Sequence, residues 1–288
     1  MIDLSSFDLD QINKVYETKE GGQKKVYIAK HKRYGSVALK LILNDPPDQR
    51  ILREIDILKS ISSQYYPRLY HVNHHSINDK TYIVIIEEFI KGKELFKVYD
   101  LFKEEAQLQL LTIDLLNALN ILWCKNTVHR DIKPGNIMIR PNLKPVILDL
   151  GIAKQLDKES LTATSQMIGP CTLIYASPEQ LENNKEIIGP RTDMFSLGIV
   201  LFILATGKHP FNLQDDKSVG QVADTILRDD PPEPNSLNKD ITTTFSNFII
   251  KLLQKQPFQR FRNYQSAIKA LKGEIYHEQM SVFPSVRS

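Results

Sequence analysis

The spacing of apolar residues changes midway along this chain, and that change does most to limit what the chain can fold into. Up to about residue 90 the apolar residues come in short or alternating runs, such as Val26-Tyr27-Ile28-Ala29, Val37-Ala38-Leu39 and Tyr82-Ile83-Val84-Ile85-Ile86, the signature of strands. One helical stretch is predicted among them, from about Asp48 to Ile61, entered through Pro46-Pro47 with Asp48 as its N-cap. From about residue 104 the spacing turns helical, with Leu108, Leu111, Leu115, Leu116, Leu119 and Leu122 on one face. The chain is therefore expected to be α+β, with a smaller β-rich lobe, a larger α-rich lobe and a ligand cleft at their joint, Glu88-Phe89-Ile90-Lys91-Gly92.

A length of 288 residues suits one globular unit of two lobes. Hydrophobic residues at 42% and charged residues at 25% exclude disordered and fibrous classes. The net charge of +3 is too small to indicate nucleic acid or a membrane surface, and no basic stripe is interleaved with aromatics. Cys124 and Cys171 cannot build a disulfide framework, and no Cys/His cluster has zinc-ligand spacing, so a reducing compartment is expected. The start Met1-Ile2-Asp3 lacks the basic and apolar regions of a secretory signal. The longest apolar run, Phe195 to Ala205, falls short of the roughly 18 residues a membrane helix needs and reads as a buried helix. No membrane span and a cytoplasmic location are the expectations.

The densest chemical signal runs from His129 to Gly151: His129-Arg130-Asp131-Ile132-Lys133-Pro134-Gly135-Asn136, then Ile137-Met138-Ile139, a turn, Val146-Ile147-Leu148, and Asp149-Leu150-Gly151. An antiparallel hairpin turning around Asn142-Leu143 is predicted to set residue 139 opposite 146 and Asn136 opposite Asp149. An amide oxygen and a carboxylate at one end of a hairpin make a hard, oxygen-rich site suited to Mg²⁺, with phosphate completing its shell. Asp131 and Lys133 approach from the preceding loop.

This run resembles the catalytic loop and metal-binding segment of eukaryotic-type (Hanks-type) Ser/Thr protein kinases, with Asp149-Leu150-Gly151 in place of the usual D-F-G. The resemblance covers residues 15 to 272 and implies the bilobal protein kinase fold. Its β-rich N-lobe with one regulatory helix would be 1–87, its hinge 88–92, its mainly α C-lobe 93–272, and 273–288 a tail that either docks or stays disordered. On this pattern Asp131 would orient and deprotonate the substrate hydroxyl, Lys133 would neutralise the transferring phosphate, and Asn136 and Asp149 would hold Mg²⁺. A lysine two residues after Asp131 resembles Ser/Thr kinases rather than tyrosine kinases. Val37-Ala38-Leu39-Lys40 matches the family's V-A-I-K, so Lys40 would grip the α- and β-phosphates of ATP. Its implied partner is Glu54, which lies between Ile51 and Leu58 on the inward face of the predicted helix. The glycine loop G-x-G-x-x-G-x-V, aligned on Val26, falls on Lys19, Gly21 and Lys24, leaving Gly21 with Gly22 beside it. Gly92 as anchor puts Glu87 at the gatekeeper position, with Ile86 the alternative. The backbone of Glu88 and Ile90 is then left to meet adenine, which Val26, Ala38 and Met138 would sandwich.

Further along, Thr172-Leu173-Ile174-Tyr175-Ala176-Ser177-Pro178-Glu179 resembles the end of an activation segment, with S-P-E for A-P-E as in many bacterial kinases. Thr172 would contact the catalytic Asp and Lys. Glu179 would pair with Arg260, where the family's usual Asp is Gln256, and Asp193 would start the buried helix and bind the catalytic-loop backbone. His129 and Arg130 complete the motif as structural residues. Ser160, Thr162, Thr164 and Ser165 lie in a predicted mobile loop, where phosphate on a hydroxyl would pair with Arg130. The resemblance thus implies transfer from ATP to Ser/Thr hydroxyls of protein substrates, with autophosphorylation in trans through a transient homodimer. Two other readings stay open. A pseudokinase-type scaffold is suggested by Lys19 and Lys24, and a small-molecule phosphotransferase is disfavoured by Lys133, Thr172 and Ser177-Pro178-Glu179.

Overall fold

A computed structural model describes residues 12–21, 24–44, 49–77, 80–149, 173–211 and 218–273. They form two compact units, one within the segments Met1–Val98 and His129–Cys171, the other within Tyr99–Val128 and Thr172–Ser288.

In the first unit, strands β1 (Ile12–Gly21), β2 (Lys24–His31), β3 (Gly35–Leu43), β4 (Leu69–Ile77) and β5 (Lys80–Glu88) make an antiparallel sheet in the order β1-β2-β3-β5-β4. Helix α1 (Gln49–Lys59) carries the chain from β3 to the edge strand β4. It occupies the predicted helical stretch and ends at Lys59, where Ile61 N–H closes a shorter turn onto the Leu58 carbonyl. Asp48, the expected N-cap, lies outside the described residues. Side chains alternate across a strand, so β2, β3 and β5 each split into two faces. Tyr27, Ala29, Val37, Leu39, Leu41, Val84 and Ile86 cluster as one apolar layer. Ala38, Lys40, Ile85 and Glu87 fall on the opposite face, with Ala38 paired to Glu87 and Lys40 to Ile85.

The same unit holds a small sheet of β6 (Lys93–Glu94), β7 (Ile137–Ile139) and β8 (Pro145–Ile147). Its β7–β8 register differs by one residue from the predicted one: Ile139 pairs with Pro145 and Met138 with Val146. The cause is the turn. Leu143 takes a left-handed conformation with φ 62°, its N–H donating to the Arg140 carbonyl while Arg140 N–H donates to Lys144. Asn136 therefore faces Leu148, whose N–H donates to the Asn136 carbonyl at 2.8 Å, and Asp149 stands one residue further on. Gly92, just ahead of β6, is required by packing, because a Cβ there would run into the backbone of Ile139.

The second unit is helical: α2 (Glu105–Trp123), α3 (Pro178–Leu181), α4 (Pro190–Thr206), α5 (Val219–Arg228), α6 (Pro234–Leu237), α7 (Thr243–Leu252) and α8 (Tyr264–Leu271). The predicted leucine stripe of α2 is buried from Leu108 to Leu122. Helix α4 is buried nearly all round, as its apolar run implies, and packs on α2 and α7. It begins at Pro190 rather than at Asp193, because proline's fixed φ and missing N–H suit the first helical position. Gly198 lets α4 approach α7 closely; a Cβ there would lie 2.9 Å from Leu252 Cβ. Among the described residues no helix is long and apolar enough to cross a membrane.

His209 links the end of this helical region to the segment before α3. Its Nε2–H donates to the Ile174 carbonyl at 2.9 Å, and its Nδ1 accepts the Phe211 N–H at 3.3 Å. Burial pushes its pKa down to about 4, against the smaller raising effect of the Ile174 carbonyl. The folded protein thus resists protonating a ring that the unfolded chain protonates near 6.5, so stability is full above pH 6.5 and falls as pH drops toward 4. Urea unfolding should show a loss of roughly 2–3 kcal/mol between pH 7 and pH 4 from this group. A His209→Gln variant, which cannot titrate, should show a correspondingly smaller loss, and identical pH profiles would refute the assignment.

Candidate active site

The candidate catalytic residues sit in the first unit, on the loop before the 3₁₀ turn Pro134–Asn136 and at the open end of the β7–β8 hairpin, just before β7 and just after β8. Asn136 Nδ2 donates to the Asp131 carbonyl at 2.8 Å and to its Oδ2 at 2.9 Å. Lys133 Nζ lies 3.1 Å from the same Oδ2. The Asn136 amide therefore commits its nitrogen to Asp131 and keeps its Oδ1 as the acceptor end. Beneath them the His129 ring ties the loop to the hairpin. Its Nε2 faces the Leu148 carbonyl at 3.1 Å and its Nδ1 receives the Asp131 N–H at 3.3 Å. A carbonyl can only accept and an N–H only donate, so the ring carries its proton on Nε2.

Two residues here hold a left-handed backbone without being glycine: Arg130 with φ 66° and Asp149 with φ 54°. Each costs about 1–2 kcal/mol, a strain that persists where the surrounding structure demands a particular side-chain direction. Asp149 uses its direction to reach Lys40, whose Nζ lies 2.7 Å from Asp149 Oδ1 and also pairs with Glu87 Oε1. Lys40 and Glu87 are only 7% and 5% exposed. Burial pulls the Lys40 ammonium down, but the Asp149 and Glu87 carboxylates outweigh it and hold its pKa above the ordinary lysine value. The oxygens of Asn136 and Asp149 are hard donors of the kind Mg²⁺ prefers, so the residues present fit that ion.

The sequence pattern assigned Lys40 to Glu54 and put Glu87 at the gatekeeper position. The structure pairs Lys40 with Glu87 and Asp149, while the Glu54 side chain, on α1, lies outside the described residues. Glu87 was the residue the sequence reading missed in this role. The signal was a glutamate closing the apolar run Ile83 to Ile86, since a carboxylate on a buried strand needs a cation. Glu88 is held at the end of β5: its Oε1 accepts from Arg140 Nη2 at 2.8 Å, its Oε2 from Arg68 N–H at 3.3 Å, and its own N–H donates to the Arg68 carbonyl. Ile90 is buried just beyond. Val26 and Ala38 lie on β2 and β3, with Val26 opposite Lys40, and Met138 is the middle residue of β7. Gly21 closes β1 opposite Lys24. Gly22, Leu150, Gly151, Ser160, Thr162, Thr164, Ser165 and Thr172 lie outside the described residues.

In the second unit Glu179 and Arg260 form a bidentate pair at 2.7 and 2.9 Å, both essentially fully buried. Burial would raise the Glu179 pKa, but the Arg260 guanidinium holds it below the ordinary carboxylate value. Asp193, in the first turn of α4, accepts Trp123 Nε1–H at 2.9 Å.

The sequence profile of the protein kinase domain matches residues 15–271. A probable serine/threonine-protein kinase of Clostridium acetobutylicum is 34% identical over 194 residues, 66% of this chain and 28% of that protein. Another, from Clostridium perfringens, is 29% identical over 264 residues, 88% of this chain and 36% of its own length. The serine/threonine-protein kinase PknB of Mycolicibacterium smegmatis is 31% identical over 252 residues, 84% of this chain and 39% of its own length. The chain spans about a third of the length of these relatives. With the domain match running along most of its length, the chain belongs to the protein kinase domain family.

Proposed function

We propose that this chain is a Ser/Thr protein kinase that moves the γ-phosphate of ATP onto hydroxyls of protein substrates. The observation that carries this reading is the bonded group in which Asn136 and Lys133 both address Asp131 Oδ2, in the unit that also pairs Lys40 with Asp149. Asp131 takes the hydroxyl proton and Lys133 offsets charge on the phosphate in transit. Lys40 holds the non-transferred phosphates, and Asn136 and Asp149 hold Mg²⁺, which when bound neutralises charge developing on the phosphate oxygens. Val26, Ala38 and Met138 enclose adenine, and the backbone of Glu88 and Ile90 meets its edge. Lobes at 1–87 and 93–272, a hinge at 88–92 and a tail at 273–288 frame this reading. Thr172 contributes to acceptor binding, and autophosphorylation falls on Thr162, Thr164 or Ser165, in trans within a transient homodimer. Dependence on ATP and a sequence with only two cysteines, too few for a disulfide framework, favour cytoplasmic work.

Purified protein incubated with Mg²⁺, ATP and a basic protein substrate should place phosphate on serine and threonine of that substrate. Intact-mass and peptide analysis should also find it on residues 160–172 of the chain. No transfer to the substrate above that of a magnesium-free control would overturn the reading.

A further inference from the structure

We propose that residues 1–11 of the chain dock in a cavity at the β4 edge of the five-stranded sheet, tying the approach to β1 to the connection between α1 and β4. The inference stands apart from the kinase reading.

The cavity holds about 950 Å³ and is walled by residues between Lys59 and Val72 together with Glu88, all within the first unit. Its walls are of two kinds. Ile61, Leu69 and Val72 offer apolar surface and are only half-buried. Lys59 and Arg68 bring positive charge. Lys59 meets Asp56 at 3.4 Å, an exposed contact of the kind that contributes little. The Arg68 guanidinium has no ion pair or hydrogen bond among the described residues. Glu88 is the one acidic residue on the wall, and its carboxylate is already engaged by Arg140 Nη2 at 2.8 Å and by the Arg68 N–H at 3.3 Å. The cavity therefore presents unspent positive charge beside apolar surface, and the ligand that complements it is an acidic chain segment carrying apolar side chains.

The first eleven residues of the sequence have that composition. Asp3, Asp8 and Asp10 are interspersed with Ile2, Leu4, Phe7 and Leu9, and no lysine or arginine accompanies them. These residues lie outside the described ones, but the point where they join the sheet is described. Ile12 is opposite His31, His31 opposite Gly35, Val37 opposite Glu88, and Glu87 opposite Leu69, so β1 begins at the same end of the sheet as β4. Side chains close that end. The His31 ring packs on Tyr34 at 4.5 Å, and Tyr34 stacks at 4.2 Å on Tyr70, itself part of the cavity wall. Ile12 and Tyr70 pack against the same apolar cluster. In a flat sheet β1 and β4 would stand four strand spacings apart, about 19 Å. Eleven extended residues reach about 36 Å, so the segment can enter the cavity with length to spare. Residues 274–288 match less well, since they follow a helix of the second unit and mix Glu274 and Glu278 with Arg287.

The test uses the full chain with Phe7→p-benzoylphenylalanine as a photo-cross-linker, in dilute solution, as an equal mixture of unlabelled and nitrogen-15-labelled protein. Peptide mass analysis locates the adducts and tells whether both partners come from one chain. Beside it run a tail reversal (Asp3→Lys, Asp8→Lys, Asp10→Lys), a wall reversal (Lys59→Glu, Arg68→Glu) and the two combined. Adducts are expected on residues 59–72 of the same chain. Their yield should fall by about threefold or more in each reversal, the scale of one or two exposed ion pairs, and return toward wild type in the combination. Adducts elsewhere, a smaller loss in either reversal, or a combination no better than the poorer single reversal would overturn the inference. Adducts joining labelled to unlabelled chains would overturn it too, by making a second copy the occupant. Should the wall reversal not fold, the tail reversal alone decides by the same threefold criterion.

Discussion

Replacing Asp131 by asparagine is expected to lower phosphate transfer by roughly 10²–10⁴-fold, the range for loss of a positioned general base. The shape of the site survives the change. An asparagine at 131 keeps an oxygen that can accept from Asn136 Nδ2, and the Asp131 backbone carbonyl continues to accept the second bond. What disappears is the proton acceptor and the ion pair with Lys133. That pair is partly solvated, with side chains 23% and 13% exposed, so its loss costs little stability. The melting temperature should therefore stay within about 3 °C of wild type. Single-turnover transfer from labelled ATP to a protein substrate, beside calorimetric melting, separates the two effects. Equal rates in the two proteins would remove Asp131 from the chemistry, and a collapse in melting temperature would make its role structural.

The second large effect is expected at the pair Glu179–Arg260. Arg260 has five N–H donors and uses them all. Nη1 reaches Glu179 Oε1 and the Arg191 carbonyl, Nη2 reaches Glu179 Oε2 and the Lys255 carbonyl, and Nε reaches the Gln254 carbonyl. Its guanidinium also lies 4.7 Å from the centre of the Phe195 ring, against the buried helix α4. Glu179 in turn accepts from Thr192 Oγ1 at 2.8 Å. Removing either partner leaves an uncompensated buried charge, so Glu179→Ala or Arg260→Ala should each cost about 3–5 kcal/mol in urea unfolding. The double variant should cost less than the sum, because the second change removes the charge that the first one stranded. Single-variant losses below about 1 kcal/mol would place the pair among ordinary surface ion pairs.

Much of the fold was legible from spacing along the chain. The leucines of α2, the all-apolar α4 and the alternating runs of β2, β3 and β5 fall where their periods put them, because each period reports a local geometry and a buried face. Element ends were less legible. Helix α4 starts at Pro190, where a backbone position unsuited to an N–H made proline favourable, and apolar periodicity carries no trace of that. The β7–β8 hairpin shows the same limit. Its strands were readable, but its register depended on Leu143 entering a left-handed turn that leucine seldom adopts, and one residue of slip moved Asn136 from opposite Asp149 to opposite Leu148.

For this protein, the sequence by itself determined which chemical groups share one site around Asp131. Asp131, Lys133 and Asn136 lie within one short loop, and loop closure over so few residues leaves them little freedom to be elsewhere. Tertiary structure alone decided how that loop is supported and which carboxylates hold Lys40. His129 bonds across to Leu148, Asp149 turns through a left-handed backbone to reach Lys40, and Glu87 arrives from a strand whose neighbour is chosen by the sheet. The physical reason is that a buried charge takes its partner from whatever the packing brings within a few ångströms. Strand order and register set that distance, and neither is written in the local spacing of residues.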